Sequence, residues 1–556
     1  MDNYITGRDR LGRVVIPAEC AGPKRDRYVG MFFFIHKNAG RKSNAVPINV
    51  EELLQKTPEA AFDYDHPAWH GDRGICHWGE PLYGYYLHSD EWVIRKSLEM
   101  LILADVDFIV FDTTNCVTFH DNCKRIISLI DEYLKAGFKA PKAVYYTNTK
   151  SGETIEDVYN EVYKQNFSPD AWFQWEGKPL IIGDADECSQ EIRDFFTFRK
   201  NQWPTEPYKD GGFPWMSFER PQHVFRGEDG APEVMSVSVA QHPQIKFGDS
   251  AMYGETRNRG RAFHDNYNDP APGASEWGHN IAEQWDFAIK CDPKIIFVTG
   301  WNEWTMGRYR GTPDRPNTFI DQGNYEYSRD LEPMKGGYFD SFYMQFVSDV
   351  RRFKGAPPLP SSGEPRTIDA RGAFSQWEGI MPEYRDMPGG NAHRSHPGVD
   401  GELLTDDTGK HSFDLMKVAR DGKNVYFYVR TREEIAPYFF TPWMRLYIRV
   451  EGQDSPGWEG YQYFANLELL DKTMSIVHKS LGGSRIVPAG RAPLKVEGRE
   501  LMLAVPRSAL GIPEGGASFE LHFKWADGIK GDWTLEDFYL HGDTAPYGRL
   551  NYIYKG

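Results

Sequence analysis

From Tyr28 to Phe353 the chain alternates short apolar runs with stretches whose apolar residues recur every three or four positions. The runs are rich in β-branched and aromatic residues, which is typical of buried strands, and the longer periodicity is typical of amphipathic helices. The predicted strands are VGMFFFI near Val29, DFIVFD near Asp107, KAVYYTN near Lys142, KPLIIGD near Lys178, FPWMSFE near Phe213, EVMSVSVAQ near Glu233 and KIIFVTGWNE near Lys294. This alternation predicts an α/β fold, specifically a (β/α)8 TIM barrel, with one strand left unplaced.

Helices are predicted between these strands. The clearest begins after Asp90, whose carboxylate is suited to cap the amino end of a helix. The predicted helical segments are DEWVIRKSLEMLILA from Asp90, CKRIISLIDEYLKAG from Cys123, GHNIAEQWDFAIK from Gly278 and YFDSFYMQFVSDVRRF from Tyr338.

A Pro/Ser/Gly-rich stretch, KGAPPLPSSGEP, follows Phe353 and predicts a linker. Beyond it the helical period is replaced by short alternating runs, which favour an all-β sandwich. These runs are NVYFYVR, WMRLYIRVE, YQYFANLEL, ELMLAVP and SFELHFKW. We therefore expect a catalytic barrel over residues 1–355, a linker over 356–366 and a β-sandwich over 367–556.

The composition narrows the choice of partner. A chain of 556 residues exceeds one hydrophobic core, and its formal charge of −16 comes without a basic stripe. Nucleic-acid and membrane partners are therefore not expected. The 16 Trp and 30 Tyr suit stacking on sugar rings, although for any single ring core packing is the favoured explanation. A glycan is the expected partner, and the composition is silent on the oligomeric state.

The cysteines and the amino terminus say little about cellular location. None of the six cysteines, Cys20, Cys76, Cys116, Cys123, Cys188 and Cys291, forms a CxxC pair. Cys116 and Cys123 could bridge, but buried thiols are favoured. The polar start MDNYITGRDR indicates either a cytoplasmic protein or a removed signal peptide, in which case secretion or the periplasm is expected. No apolar run is long enough to span a bilayer.

Candidate chemistry lies where the predicted strands end, because the loops at that face of a parallel barrel converge on one cavity. The acids there suit glycoside cleavage, which needs a proton donor and a second carboxylate. For each acid alone, capping a helix or pairing with a basic residue is an even alternative. The strand-end residues are His36, Asp112, Asp184, Asp186, Glu219, Gln241, His242 and Glu303.

A long insertion, HPAWHGDRGICHWGEPLYGYY from His66 to Tyr86, follows the first strand and is expected to shape a substrate cleft. Its candidate sugar platforms are Trp78, Tyr83 and Tyr85, and Glu80 is a candidate hydrogen-bonding or catalytic acid. Ordinary aromatic packing is an equal alternative. A metal site built from His66, His70 and His77 is a sharper alternative, but the spacing matches no motif with a known mechanism.

The segment GWNEW, from Gly300 to Trp304, resembles the Asn-Glu-Trp sequence of the glycoside hydrolase family 99 endo-mannosidases and the related WbsX-like glycan-processing proteins. A second segment, from Asp90 to Asn115, is similar to the first helix and second strand of that family; its sequence is DEWVIRKSLEMLILADVDFIVFDTTN. DLEP, from Asp330 to Pro333, is similar to its Leu-Glu-Pro, displaced here by an insertion. The resemblance covers about 355 residues in topology and implies a (β/α)8 enzyme without a cofactor.

The resemblance implies a catalytic role for Glu303 and substrate contacts for Trp301, Asn302 and Trp304. The family places its acid/base glutamate three residues after the first, where this chain has Met306, and a thioether cannot donate a proton. The expected replacements are Glu332, Asp112 and Glu219, in that order.

The carboxyl-terminal region resembles the family 9 type of carbohydrate-binding domain through SFDLMKVARDGKNVYFYVRT, FKWADG and DFYLHGDTAPYGRLNYIY. That resemblance implies sugar or structural-calcium binding, or only bracing of the barrel, with Trp458, Trp533 and Tyr547 as the residues to test. The sequence as a whole predicts a glycoside hydrolase. The alternatives are an inactive glycan-binding protein and a metal-assisted lyase or esterase acting on an acidic polysaccharide.

Overall fold

The computed structural model describes residues 4–15, 21–36, 44–243, 245–255, 257–438 and 442–556. The chain divides into two compact units. We call residues 17–356 with 396–404 the barrel-like unit, and residues 1–16 with 357–395 and 405–556 the antiparallel unit.

The barrel-like unit is built on a parallel sheet that is nearly closed. Its parallel strands are β1 (Tyr28–Phe33), β2 (Phe108–Thr113), β3 (Lys142–Thr147), β4 (Lys178–Ile182), β5 (Thr197–Gln202), β6 (Gly212–Pro214), β7 (Pro232–Ser238) and β8 (Ile295–Thr299). They are hydrogen-bonded in the order β6-β5-β4-β3-β2-β1-β8-β7. A ninth strand, Phe225–Arg226, pairs antiparallel with β7, and Gln174–Trp175 pairs antiparallel with β4.

The helices of this unit lie between the strands. They are α1 (Val50–Lys56), α2 (Glu91–Leu103), α3 (His120–Lys135), α4 (Ser151–Val158, continued by a π turn over Tyr159–Tyr163), α5 (Gln190–Phe195), α6 (Phe247–Tyr253), α7 (His279–Cys291) and α8 (Ser341–Lys354). The predicted cap of α2 is confirmed, since the Asp90 side chain accepts a hydrogen bond from the Trp92 amide. Shorter 3₁₀ turns cover Pro58–Phe62, Pro67–Trp69, Gly71–Arg73, Pro169–Ala171, Ala185–Glu187 and Ala274–Trp277.

The expected mixed α/β architecture is present, but the strict strand-helix alternation of a (β/α)8 barrel is not. Residues 203–211 and 215–231, all described, connect β5 to β6 and β6 to β7 without a helix. Pro204, Pro207 and Pro221 in these connections are poorly tolerated inside a helix. No ladder joins β6 to β7 among the described residues, so the sheet stays open at that point.

All seven strands predicted for the barrel are present. The eighth strand, which the sequence pattern left unplaced, is β5. Its sequence TFRKNQ is polar, unlike those of its neighbours, so apolar patterning does not reveal it. Its polar side chains are bonded instead. Arg199 pairs with Glu233 on β7 at 2.8 Å, and the Asn201 amide donates to the Thr147 carbonyl on β3.

Several shorter strands follow the carboxyl ends of the parallel strands. Val46–Asn49, Gly74–His77 and Thr305–Met306 form a three-stranded sheet, and Arg308–Thr312 with Arg315–Phe319 forms a hairpin after β8. A second short hairpin joins Phe263–His264 to Tyr267–Asn268. Arg394–Pro397 and Leu403–Asp406 form a separate two-stranded sheet. The Arg308–Phe319 hairpin occupies the insertion that separates the Asn-Glu-Trp and Leu-Glu-Pro segments.

The antiparallel unit contains a large 13-stranded sheet. Its strands are Ile5–Thr6, Glu383–Arg385, Phe413–Arg420, Asn424–Thr431, Arg445–Val450, Tyr463–Ala465, Leu469–Asp471, Met474–Ser480, Ile486–Glu497, Glu500–Pro506, Glu520–Asp527, Asp543–Ala545 and Asn551–Lys555. The long strand Ile486–Glu497 pairs with Met474–Ser480 along its first half and with Glu500–Pro506 along its second. Short helical turns cover Phe374–Trp377, Arg507–Leu510 and Asp537–Leu540.

Two further predictions concern thiols and membranes. Cys116 and Cys123 are both free, as predicted, although Cys116 is exposed rather than buried. Cys76 and Cys188 are buried, Cys291 is half-buried, and Cys20 lies outside the described residues. Among the described helices, none combines the length and apolar character that crossing a bilayer requires.

Candidate active site

Three neighbouring strands bring the main polar side chains together. β2, β1 and β8 are adjacent in the sheet, and Asp112, His36 and Glu303 lie at or just beyond their carboxyl ends. Because parallel strands end at one edge, these side chains meet there. All three line one open cavity of about 620 Å³, together with Met306, Arg308 and Asp321.

The turn after β8 presents Glu303 to this cavity by burying the residues on either side of it. The Asn302 amide accepts from the Phe34 N–H at 2.8 Å and donates to the Phe34 carbonyl at 3.2 Å, which pins the turn to the end of β1. Trp301 and Trp304 are fully buried. Glu303 is therefore the residue of the Asn-Glu-Trp segment that is available for chemistry.

Trp304 belongs to a buried scaffold beneath the cavity. Its ring stacks on Trp78 with centroids 4.2 Å apart, and its indole N–H donates to Glu332. The Trp78 indole in turn donates to the Glu303 carbonyl at 3.2 Å. This scaffold fixes the backbone that carries Glu303.

Glu332, the first expected proton donor, is part of this scaffold rather than of the cavity lining. It is 3% exposed and accepts hydrogen bonds from Tyr86 Oη at 2.8 Å and Ser97 Oγ at 3.2 Å, besides that from Trp304. A carboxyl group held by buried donors anchors its surroundings, and Glu332 is not among the residues that line the cavity.

The Glu303 side chain is bound on one oxygen. Its Oε2 accepts from Arg329 Nη2 at 2.6 Å and from Gln322 Nε2 at 3.0 Å, and the side chain is 13% exposed. Its backbone N–H donates to Asp330 Oδ1 at 2.9 Å, and Gln322 also donates to Asp330 Oδ2. The carboxyl group is thus held firmly, with Oε1 outside these bonds.

Burial, opposed by the Arg329 charge and reinforced by the carboxylates of Asp321 and Asp330, raises the pKa of Glu303 to about 8. Burial also raises the pKa of Asp112, opposed by the hydrogen bonds that its Oδ1 accepts from the Thr114 hydroxyl and amide at 2.7 and 3.1 Å. The cavity therefore holds a carboxyl group suited to keeping its proton near neutral pH, with other carboxyl groups beside it.

Sequence reasoning missed Asp321, Arg329 and Gln322. All three lie in the segment that follows the hairpin, where no strand or helix pattern sets the path of the chain. Asp321 lines the cavity, is 45% exposed and lies 3.8 Å from Arg329. The one available signal was an acid placed just after the strand Arg315–Phe319.

A second open cavity, of about 580 Å³, adjoins the first, since Ile320 and Asp321 line both. Its other walls include Trp203, Trp215 and His242. Trp215 follows β6 and His242 follows β7, so this cavity lies farther round the same edge of the sheet.

The other candidate residues do not line either of the two cavities. Glu219 is exposed, and Asp184 caps the turn over Ala185–Glu187 by accepting from the Asp186 amide. Glu80 is bound by Lys335 at 2.8 Å. Gln241 is buried and donates to the Ser217 carbonyl.

The proposed aromatic platforms are largely packed away. Trp78 and Tyr83 are each 1% exposed, so neither offers a ring face to a ligand. Tyr85 is half-buried and packs on His77. In the antiparallel unit Trp458 and Tyr547 are buried, and Trp533 is half-buried against Trp458. Burial explains these placements, because large aromatic rings stabilise cores as readily as they bind sugars.

The histidine-rich insertion does not form a metal cluster. His66 accepts from the Ala68 amide, and His77 Nδ1 lies 2.9 Å from the Ile75 carbonyl. Within the described residues, no group of three His, Cys, Asp or Glu side chains is arranged to hold a metal ion.

The fold and the site define an α/β protein with a nearly closed parallel sheet and a carboxyl-lined cavity at its carboxyl edge. No family model matches the sequence, and no curated protein matches it significantly. Two solved structures of the GH99 endo-α-mannosidase from Bacteroides thetaiotaomicron are similar. The one in complex with bis-tris-propane is 14% identical, covers 59% of this chain and 97% of its own, and has a TM-score of 0.34. The other is 16% identical, covers 59% and 99%, and has a TM-score of 0.35.

Proposed function

We propose that this chain is a glycoside hydrolase that cleaves glycosidic bonds in the cavity lined by Glu303 and Asp112. The observation that carries the proposal is one open cavity that holds two carboxyl groups: Glu303, which is buried after β8 and has a raised pKa, and Asp112 on β2, the second strand along the sheet from β8. Glycoside cleavage needs that pair, one group to protonate the leaving oxygen and one to assist attack at the anomeric carbon.

The hydrogen bonds of Glu303 favour it as the proton donor. Because Arg329 and Gln322 both donate to Oε2, the proton of the neutral acid belongs on Oε1. Glu303 passes this proton to the glycosidic oxygen as the bond to the anomeric carbon breaks, and Asp112 supplies the second carboxylate. In this assignment Glu303 donates the proton that the second glutamate of the Glu-x-x-Glu pattern would donate, because Met306 stands at the position of that second glutamate.

We also propose a specific fold for each of the two units. The eight parallel strands follow one another in chain order around a sheet that is open only between β6 and β7, which supports a (β/α)8 barrel that lacks two helices. Phe523 lies on one half of the 13-stranded sheet and contacts Phe427 and Tyr384, which both lie on the other half. This contact supports a β-sandwich. We propose a catalytic barrel over residues 1–355, a linker over 356–366 and a carbohydrate-binding-like sandwich over 367–556. The exception is residues 1–16, which belong to the antiparallel unit and whose strand Ile5–Thr6 pairs with Asn551–Lys555.

The test is digestion of a library of neutral and acidic polysaccharides, with reducing ends and product structures measured. Wild type is expected to release saturated saccharides, and Asp112→Asn to lower the rate by about 10²–10⁴-fold. Asp184→Asn, another strand-end aspartate but outside the cavities, is the matched control and should retain the wild-type rate. A wild type that binds a glycan without releasing product would make the chain a binding protein, as Met306 suggests. An unsaturated product, or activity removed by a chelator, would favour the lyase or esterase.

The pH profile tests which group holds the proton. Since Glu303 must be protonated and its pKa is raised to about 8, kcat/KM should fall as the pH rises through that value. Asp321 raises the pKa of Glu303, so Asp321→Asn should move this alkaline limb to lower pH. The profile of the exposed Asp186→Asn should match wild type. An alkaline limb that stays in place or moves upward in Asp321→Asn would refute the assignment.

A further inference from the structure

We infer that the second cavity is a saccharide subsite that binds an uncharged pyranose ring of the glycan whose scissile bond lies in the first cavity. The inference rests on the proposed function and goes further by naming where the substrate extends and the kind of sugar it carries. It follows from the aromatic wall, the polar groups, the charge balance and the connection to Glu303.

One wall of this cavity is a stacked tryptophan pair. The rings of Trp203 and Trp215 lie 4.7 Å apart and within 8° of parallel. Trp215 is buried and Trp203 only partly so. A flat indole backed by a second indole offers a rigid apolar face, which suits the C–H face of a pyranose ring. The pair supplies the kind of platform that the buried Trp78 cannot.

The polar groups of the cavity have unused hydrogen-bonding capacity. His242 is 9% exposed, lines the cavity, and has no hydrogen-bond partner for Nδ1 among the described residues. Burial and the nearby Arg329 charge lower the pKa of His242 to about 3, so its imidazole is neutral. Asp249 Oδ1 is likewise unbonded within the described part of the chain, while Oδ2 accepts from Arg315 at 3.4 Å. Buried polar atoms of this kind are normally satisfied. Both side chains line the cavity, so they can bond sugar hydroxyls once they turn toward a bound ring.

The charge of the lining favours an uncharged sugar. Its basic residues are Lys246 and Arg315 and its acidic residues are Asp249 and Asp321, so two positive and two negative charges cancel. A uronate or sulfate group would find no net positive charge to hold it.

Direct contacts connect this cavity to the proposed catalytic acid. The guanidinium of Arg329 lies 4.9 Å from the Trp215 ring centroid and donates to Glu303 at 2.6 Å. Asp321 forms part of the walls of both cavities. A sugar ring bound on Trp203 therefore belongs to the same glycan as the sugar beside Glu303. Longer substrates gain contacts in the second cavity that short substrates lack.

The experiment compares Trp203→Ala with wild type on malto-, cello-, manno-, xylo- and galacto-oligosaccharides of two to six units. For the series that is cleaved, we expect Trp203→Ala to lower kcat/KM about 10- to 100-fold on the longest members and less than about threefold on the shortest member cleaved. The exposed Trp277, which lies outside both cavities, provides the matched control as Trp277→Ala, which should behave as wild type at every length. Trp203→Phe, which keeps a ring, should recover most of the loss.

Each result decides the inference. An equal loss at all lengths would overturn the subsite and make Trp203 a support for Arg329. No loss at any length would also overturn the subsite. Both results leave the proposed hydrolase intact. If wild type cleaves nothing, binding of the same oligosaccharides is measured by calorimetry. Binding weakened at least tenfold by Trp203→Ala would keep the subsite and reject the hydrolase, whereas no binding would reject both. Tighter binding of oligosaccharides that contain uronic acids would overturn the assignment of an uncharged sugar.

Discussion

Replacing Glu303 by Gln is expected to lower kcat by about 10³-fold or more, with little change in the affinity for the glycan. The amide keeps the shape of the side chain and can still accept from Arg329 and Gln322, but it cannot donate a proton to the glycosidic oxygen. The measurement is kcat and KM on the best substrate of the polysaccharide library, with binding to the variant followed by calorimetry.

The matched control for this variant is Glu219→Gln. Glu219 was also a candidate acid, but its side chain is exposed and lies outside the lining of both cavities in the described structure. Its replacement should leave kcat within about twofold of wild type. A Glu303→Gln variant that retains wild-type activity would end the proposal that this cavity performs acid catalysis.

Replacing Glu332 by Ala is expected to destabilise the barrel-like unit by about 3–5 kcal/mol. The substitution leaves the Tyr86 hydroxyl, the Ser97 hydroxyl and the Trp304 indole N–H without the buried acceptor that they share. The free energy of unfolding is measured in urea with tryptophan fluorescence, to which the stacked Trp78 and Trp304 contribute among the 16 Trp of the chain.

The exposed Glu228→Ala is the control and should change stability by less than about 0.5 kcal/mol. The comparison separates two roles for Glu332. A variant as stable as wild type, but without activity, would return Glu332 to the position of proton donor that the sequence suggested. Loss of stability, with activity retained in the folded fraction, would establish it as an anchor of the Asn-Glu-Trp turn.

Part of the site could be predicted because strand ends are visible in the sequence. His36, Asp112 and Glu303 follow apolar runs, and parallel strands deliver such residues to one edge. Asp321 and Arg329 lie within an irregular insertion, so their approach to Glu303 depends on the path of a hairpin that no periodicity reveals. The replacement for the missing acid/base residue therefore could not be chosen from sequence.

Aromatic residues show most clearly what the sequence alone cannot predict about the site. Trp78, Tyr83 and Trp203 are chemically similar and all lie in loops or insertions, yet Trp78 and Tyr83 are buried while Trp203 lines a cavity. Composition cannot separate a ring that packs a core from a ring that binds a ligand, because both uses exploit the same apolar surface.

The sequence by itself determined the alternation of strands and helices, the change to an all-β pattern after Phe353, and the acid at the end of β8. These features are local, since burial on both faces of a parallel strand requires a continuous apolar run. The tertiary structure decided the rest: it placed the polar strand β5 in the sheet, buried Glu332, and brought Asp321 and Arg329 to Glu303. Such contacts join residues far apart in the chain, and only the packed fold determines which polar groups lose water and which face a cavity.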